Sequence, residues 1–456
     1  MNNLSAPAAG PAQQHMFTRQ ALIRLMVPVI LEQFLTSLMG TMDTIMVSNV
    51  GSAAMSSVSL VDSINVLIIQ VFSALTAGGA ILCAQYTGRR DKEGAEHSAQ
   101  QLIFIVTAIS VILCAVFMTV RRPLLRAVFG SVDADVMADS QIYFFYTVLS
   151  YPFIALFDAG SSIFRAQENT RLPLSASIIA NMINIAGNAI CIFGLGWGVA
   201  GAAIPTLLSR IFGAAYVLIC LAKPGRFITV RDYIHIRPDA DCIRRILNIG
   251  IPSGIENSMF QFGKLAVQST VSTMGTVAIA AQAMTNSLEA LNGIAGMGVG
   301  IAMMTVVGEC IGDGRNDEAV YYIKKMTFYA EIIVTVSCVI FYICTKPIMA
   351  VAGMEPASAD MCYHMMFWIS IVKPVVWTMS FVPAFGMRAS GDVRYSMTVS
   401  CISMWVSRVA LCIFLVRQFH FGPMAVWIGM FTDWSVRGIF FMLRFHSRKW
   451  LRHKLI

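Results

Sequence analysis

The sequence predicts an all-α membrane protein of twelve transmembrane helices, arranged as two six-helix lobes that repeat in parallel. Three observations predict it. Charged residues make up only 13% of the 456-residue chain against 57% hydrophobic ones, whereas a soluble globule carries about 25% charge. Nearly uncharged stretches such as 102–120, 178–195, 332–344 and 399–416 recur between short polar clusters. Several can cross a bilayer of ~30 Å as helices, and because they are apolar all round they exclude a transmembrane β-barrel. Finally, the second half slides onto the first at an offset of 224 positions, pairing Pro28 with Pro252, Glu32 with Glu256, Gly51 with Gly275 and Gly88 with Gly312 without a gap.

In chain order the spans fall near 22–48, 55–87, 99–120, 136–164, 170–195, 198–222, 244–272, 277–310, 322–345, 358–387, 393–416 and 420–443. Residues 1–17 are polar and rich in Ala, Pro and Gln, with no basic stretch ahead of a cleavable apolar core, and read as a disordered tail. Residues 18–222 form the N-terminal lobe and 246–445 the C-terminal lobe, leaving 446–456 as a basic tail. Between the lobes lies the longest polar interruption, 223–245, which carries six basic residues and reads as a linker. Two further motifs echo the repeat: GRRDKEGA from Gly88 matches GDGRNDEA from Gly312, and RAQENTR from Arg165 matches RASGDVR from Arg388. Identities over the 61 ungapped positions number nine, against roughly four by chance, so the Pro, Glu and Gly punctuation is the better evidence. Six spans per half give both halves one orientation, which places a transport site between them.

The net charge of +8 is topological. With the N-terminus inside, inner segments hold 23 basic residues and outer segments only Arg121, Arg122, Arg126, Lys346 and Arg417. The positive-inside rule then puts both termini in the cytoplasm of a multi-pass cell-membrane protein. Membrane lipid is thus an expected partner and nucleic acid is not. Eleven scattered cysteines show no CxxC or Cys/His metal spacing and read as small buried apolar residues.

Ionisable groups inside apolar runs need a partner, a wet cavity or a role. Glu32, Thr36 and Asp43 share one face of the first span, since 11 residues turn only about 20° past three full turns and separate the carboxylates by ~16 Å. Glu32 lies near a span end, where water alone can satisfy it; Asp43 lies deeper. Asn257, Gln261, Lys264 and Gln268 form a polar stripe on the seventh span, lining a cavity or a helix contact, and Lys264 can balance a carboxylate such as Glu289. At the repeat offset Asp62 faces Asn286 and Asn65 faces Glu289, so acid and amide exchange places, which predicts that Asp62 and Glu289 point into the lobes. Asp43 has no such counterpart, because its partner position is Val267. On the fifth span Asn184 and Asn188, one turn apart, can offer oxygens to a cation, donors to a carboxylate, or hydrogen bonds to a neighbouring helix; Asn181 accompanies them.

These residues carry a resemblance. Pro28 and MDTIMVSNVG around Asp43, the 88–95 turn, RAQENTRLP, INIAGNAICIFGLGWGVAGAA from Ile183, GIPSGIENSMFQFGKL from Gly250, VVGECIGDGRNDEA from Val306 and RASGDVR together resemble the multidrug and toxic compound extrusion (MATE) family over about residues 20–445. The resemblance implies a V-shaped pair of lobes, alternating access, and export of drugs or other small, often cationic, organic compounds in exchange for Na⁺ or H⁺. By position it implies a cation-coupling site at Asp43, Asn184 and Asn188, which is also where Na⁺ would sit. The polar residues read above, Glu32, Thr36, Asp62, Glu256, Gln261, Lys264 and Glu289, stand beside it as cavity or secondary coupling candidates. Trp377 and Phe260 stand where some members carry an aspartate and a glutamate, which leaves a C-lobe cation site of that form without its carboxylates.

The alternative within the same superfamily is a flippase of lipid-linked oligosaccharides or related amphiphiles, with Lys264, Lys373 and Arg408 as cavity cations. No Walker A loop, HExxH or GxSxG occurs, and His364 stands alone in the tenth span, so no enzyme chemistry and no cofactor is expected. The asymmetric carboxylates suit two rocking lobes better than a symmetric pore, and a monomer is expected.

Overall fold

The computed structural model describes residues 15–130, 132–233, 235–419, 421–453, 455 and 456, and every regular element among them is helical. The first lobe comprises α1 (Arg19–Ser48), α2 (Ser52–Gly88), α3 (Lys92–Phe129), α4 (Ala134–Leu149 continued by Tyr151–Ala166), α5 (Arg171–Gly194) and α6 (Ala200–Ala222). The second comprises α7 (Ala240–Val271), α8 (Thr276–Gly312), α9 (Asn316–Val351), α10 (Pro356–Ala389), α11 (Val393–Phe419) and α12 (Met424–His446). By length and apolarity nine of these can cross a membrane, and α4 is a tenth when its halves, bent by 41°, count as one span. The two left over, α7 and α12, are made more polar by what they carry: the partly exposed stripe from Asn257 to Gln268 on α7, and the buried Asp433 and Arg437 on α12.

Local chemistry starts these helices. Thr18 caps α1 by accepting from the Ala21 amide at 3.2 Å, and Asp91 caps α3 by accepting from the Gly94 amide at 2.9 Å. The repeat is visible in the backbone. Arg90 and Gly314 hold the same left-handed conformation (φ 58° and 77°) before α3 and α9, and Glu168 and Gly391 do so (φ 59° and 96°) before α5 and α11.

Each lobe has its own hydrophobic core, but the first helix of each lobe begins in the other one. Leu22, Leu25 and Met26 of α1 pack into the C-lobe core, while Cys242 and Ile246 of α7 pack into that of the N-lobe. This exchange joins the lobes on the side that carries the start of α1 and the end of α12, here termed the terminal side. There α2 and α8 cross so closely that a Cβ on Gly88 would strike the backbone of Glu309, and one on Gly312 the backbone of Gln85. Gln85 Nε2 also donates to the Ala389 carbonyl at 2.8 Å across the junction.

Residues 1–14 of the expected tail, and Lys454 of the C-terminal one, lie outside the described residues. Further along, the N-terminal segment is docked on the opposite lobe: His15 stacks on Tyr321 at 4.4 Å, the Met16 amide donates to Glu318 at 2.8 Å, and the Phe17 amide donates to the Tyr322 hydroxyl at 2.7 Å. The expected linker gives way to α7 at Ala240, and its earlier part lies on the N-lobe, with Ile228 and Val230 buried and Gln101 donating to the Arg237 carbonyl at 2.8 Å.

Candidate functional site

The N-lobe brings Asp43, Asn184 and Asn188 together, all three buried. Asn188 Nδ2 donates to Asp43 Oδ1 at 2.6 Å and lies 3.4 Å from Asn184 Oδ1, while Asn184 Nδ2 donates to Thr206 Oγ1 on α6 at 2.9 Å. Asn188 Oδ1 is buried and has no hydrogen-bond partner among the described residues. A carboxylate and amide oxygens therefore converge with spare acceptor capacity, which suits a proton or a hard cation. No group of three His, Cys, Asp or Glu with metal-binding geometry occurs among the described residues. Directly after Asn188, α5 widens into a π-type turn at Ala189–Gly194, a local irregularity frequent at functional sites.

Asp62 accepts from Asn65 Nδ2 at 3.1 Å, and the Tyr151 hydroxyl donates to Asn65 Oδ1 at 2.9 Å, so this carboxylate also faces the lobe. Two residues that the sequence reading passes over complete the cluster. Arg210 of α6, which donates to Ser150 Oγ at 2.6 Å, lies within electrostatic reach of Asp43, Asp62 and Asp158. Both Arg210 and Asp158 are ionisable residues inside apolar runs, the same signal that singled out Asp43.

Glu32 and Glu256 are locked in equivalent ion pairs. Arg165 Nη1 reaches Glu32 Oε1 at 2.9 Å, and Arg388 Nη2 reaches Glu256 Oε1 at 2.6 Å. Both carboxylates are buried, and each pair ties the first helix of a lobe to the motif before its fifth helix. Thr36 is exposed and donates its hydroxyl to the Glu32 carbonyl at 2.9 Å.

In the C-lobe, Glu289 pairs with Lys373 at 2.6 Å rather than with Lys264. Lys373 opens a π-type turn of α10, Lys373–Trp377, and its fully buried amine reaches α8, where it also donates to the Glu289 carbonyl at 2.9 Å. Deeper, Asp433 of α12 holds two guanidiniums, Arg408 at 3.0 Å and Arg437 at 3.2 Å, and accepts from Ser403 Oγ at 2.6 Å. Asp433 and Arg437 were also passed over, although they stand one turn apart in an apolar run. Arg408 lies in a third π-type turn, Met404–Ala410. Along α7, Asn257 Nδ2 donates to Gln70 Oε1 of the N-lobe at 3.1 Å, Gln261 is half-buried, and Lys264 and Gln268 are exposed.

A family model, MatE, matches residues 28–190 and again 252–414, one copy per lobe and 224 positions apart. The chain belongs to the MatE family. It is 27% identical to an uncharacterized transporter of Bacillus subtilis, YisQ, over 95% of both chains. It is 24% identical to a probable multidrug resistance protein, NorM, of Thermotoga maritima, over 96% of this chain and 94% of the relative. Among solved structures, the outward-facing form of a multidrug resistance MATE family transporter superposes with a TM-score of 0.86 at 21% identity, covering 94% of this chain and 95% of that one. The twelve-helix, two-lobe arrangement is thus that of MATE transporters.

Proposed function

We propose that this MATE protein is a secondary active antiporter that exports small organic compounds in exchange for Na⁺ or H⁺, with Asp43 as the coupling residue. The buried Asp43–Asn188–Asn184 cluster, with an orphaned carbonyl oxygen at Asn188, is the observation that carries this reading. A carboxylate so enclosed needs a proton or a cation to compensate its charge. Supplying or removing that cation changes which packing of α1 against α5 is favoured, and so biases the lobes between two orientations. Substrate bound between the lobes favours one orientation and the cation the other, which makes the two exclude one another. The names of the relatives, multidrug resistance proteins among them, support an exporter.

The terminal side, where both lobes interlock, is read as cytoplasmic on the basis of the basic residues it carries. The test is efflux from proteoliposomes under an imposed pH gradient, Na⁺ gradient or both. Asp43→Asn is nearly isosteric and should insert and fold, yet lose gradient-driven efflux. Efflux by Asp43→Asn at the wild-type rate would remove Asp43 from the coupling role.

A further inference from the structure

The interior of the C-lobe carries a positive charge that its own carboxylates do not neutralise. Glu289 is taken by Lys373. Asp433 serves both Arg408 and Arg437, and its second oxygen is occupied by Ser403. These three charged side chains are at most 5% exposed, and the Nε of each arginine is buried without a hydrogen-bond partner among the described residues. Two guanidiniums on one carboxylate, in a site that excludes water, leave one cationic charge uncompensated. Lys264 adds another: it forms no ion pair among the described residues, and although it lies within electrostatic reach of Glu289 as well as Arg408, that carboxylate is already paired with Lys373.

Lys264 is reachable. On α7 the exposed apolar residues Ile251, Ile255, Phe262 and Leu265 define one face. The stripe of Gln261, Lys264 and Gln268 lies about 110° around the helix from it, as 100° per residue requires. One turn before Lys264 stands Phe260, whose ring covers Arg408 at 5.4 Å and Arg437 at 4.8 Å and continues through Phe381 to Trp377, stacked at 4.9 Å. An aromatic wall thus adjoins a basic edge at i, i+4 spacing.

Resting on the exporter reading above, we infer that this face binds an anionic group on an aromatic or apolar body, so that the exported compounds are organic anions or zwitterions rather than simple cations. The carboxylate or phosphate of such a molecule meets Lys264 while its rings lie along Phe260. The repeat shows that the two lobes place their charges at different positions, and Lys264 itself stands where the N-lobe has Gly40. At offsets of 224, 224 and 223, Asp43 corresponds to Val267, Asn184 to Arg408 and Arg210 to Asp433. The cation and the substrate then bind in different lobes, each in a field of the appropriate sign.

The test uses two xanthene dyes of nearly one shape and opposite charge, anionic fluorescein and cationic rhodamine 123, with the purified full chain. Fluorescence anisotropy should show fluorescein binding at least about tenfold tighter than rhodamine 123, and Lys264→Gln, a change at an exposed position, weakening fluorescein by about tenfold while leaving rhodamine 123 unchanged or tighter. Equal or tighter rhodamine 123 binding by the wild type, or fluorescein binding indifferent to Lys264→Gln, overturns the inference. Transport in proteoliposomes separates this from the exporter reading. Gradient-driven movement of rhodamine 123 without fluorescein keeps the exporter and refutes the anion site, whereas Lys264-dependent fluorescein binding with no movement of either dye keeps the site and refutes the exporter. Displacement of fluorescein by vesicles containing a polyprenyl phosphate, but not by dissolved benzoate, assigns the anion to a lipid; the reverse result assigns it to a dissolved carboxylate.

Discussion

In the N-terminal lobe three carboxylates, Asp43, Asp62 and Asp158, lie within electrostatic reach of Arg210, Asp158 also within reach of the Glu32–Arg165 pair; in the C-terminal lobe four cations, Lys264, Lys373, Arg408 and Arg437, meet two carboxylates, Glu289 and Asp433. The frames around these clusters are nearly interchangeable. Both have the glycine that opens the second helix, the left-handed residue before the third, and a glutamate–arginine pair anchoring the first helix. The repeat therefore preserves what closes the lobes and diverges in what fills them. A buried frame pair is constrained by its own geometry, whereas an interior charge is free to change sign provided that its neighbours or its ligand change with it.

The sharpest way to break this comparison is to remove the one carboxylate that has no counterpart. Asp43→Asn is expected to abolish gradient-driven efflux, while Glu289→Gln, which leaves Lys373 unpaired, is expected to lower thermal stability without uncoupling what transport remains. If both uncoupled equally, the lobes would share the coupling role and the asymmetry would be incidental.

Next come the frame pairs. Glu32→Ala and Glu256→Ala each remove the ion-pair partner of a largely buried guanidinium and should cost about 3–5 kcal/mol apiece. Glu32→Gln combined with Arg165→Met should recover most of that loss. Thermal unfolding in detergent measures both, and a much milder Glu256→Ala would show that the two pairs are equivalent in geometry only.

The close crossing should be reciprocal as well. A methyl group on Gly88 or Gly312 meets backbone, which cannot turn aside. Each Gly→Ala change should therefore cost about 1–3 kcal/mol as overpacking and loosen the terminal side. Maleimide labelling of Cys310, fully buried beside this crossing, reports the loosening. Labelling unaltered from wild type in either variant would mean that the crossing is not what holds this side closed.

The smallest effect concerns a backbone that one lobe strains and the other does not. Gly314→Ala should cost about 1 kcal/mol, because an L residue is disfavoured at positive φ. Arg90→Gly, at the equivalent turn, should be nearly neutral, with relief of strain offset by the greater freedom of the unfolded chain. Chemical denaturation of the two variants side by side distinguishes them.

The sequence by itself determined the membrane class, the twelve spans and the repeat, whereas the grouping of Asp43 with Asn184 and Asn188 was implied by the family resemblance. The first three depend on composition, period and punctuation, which are local or translationally repeated properties. Only the tertiary structure decided the partners. Glu32 meets Arg165 and Glu256 meets Arg388 across more than 130 residues, Glu289 chooses Lys373 over Lys264, and Asp433 gathers two arginines. A charge in an apolar run is legible because it is out of place there. Which opposite charge compensates it depends on the rotation of a neighbouring helix, here altered by π-type turns at Lys373–Trp377 and Met404–Ala410 that shift every later side chain around the axis. The exchange of α1 and α7 between cores was hidden for the same reason: an apolar helix end packs equally well against either lobe until the other helices define the space left for it.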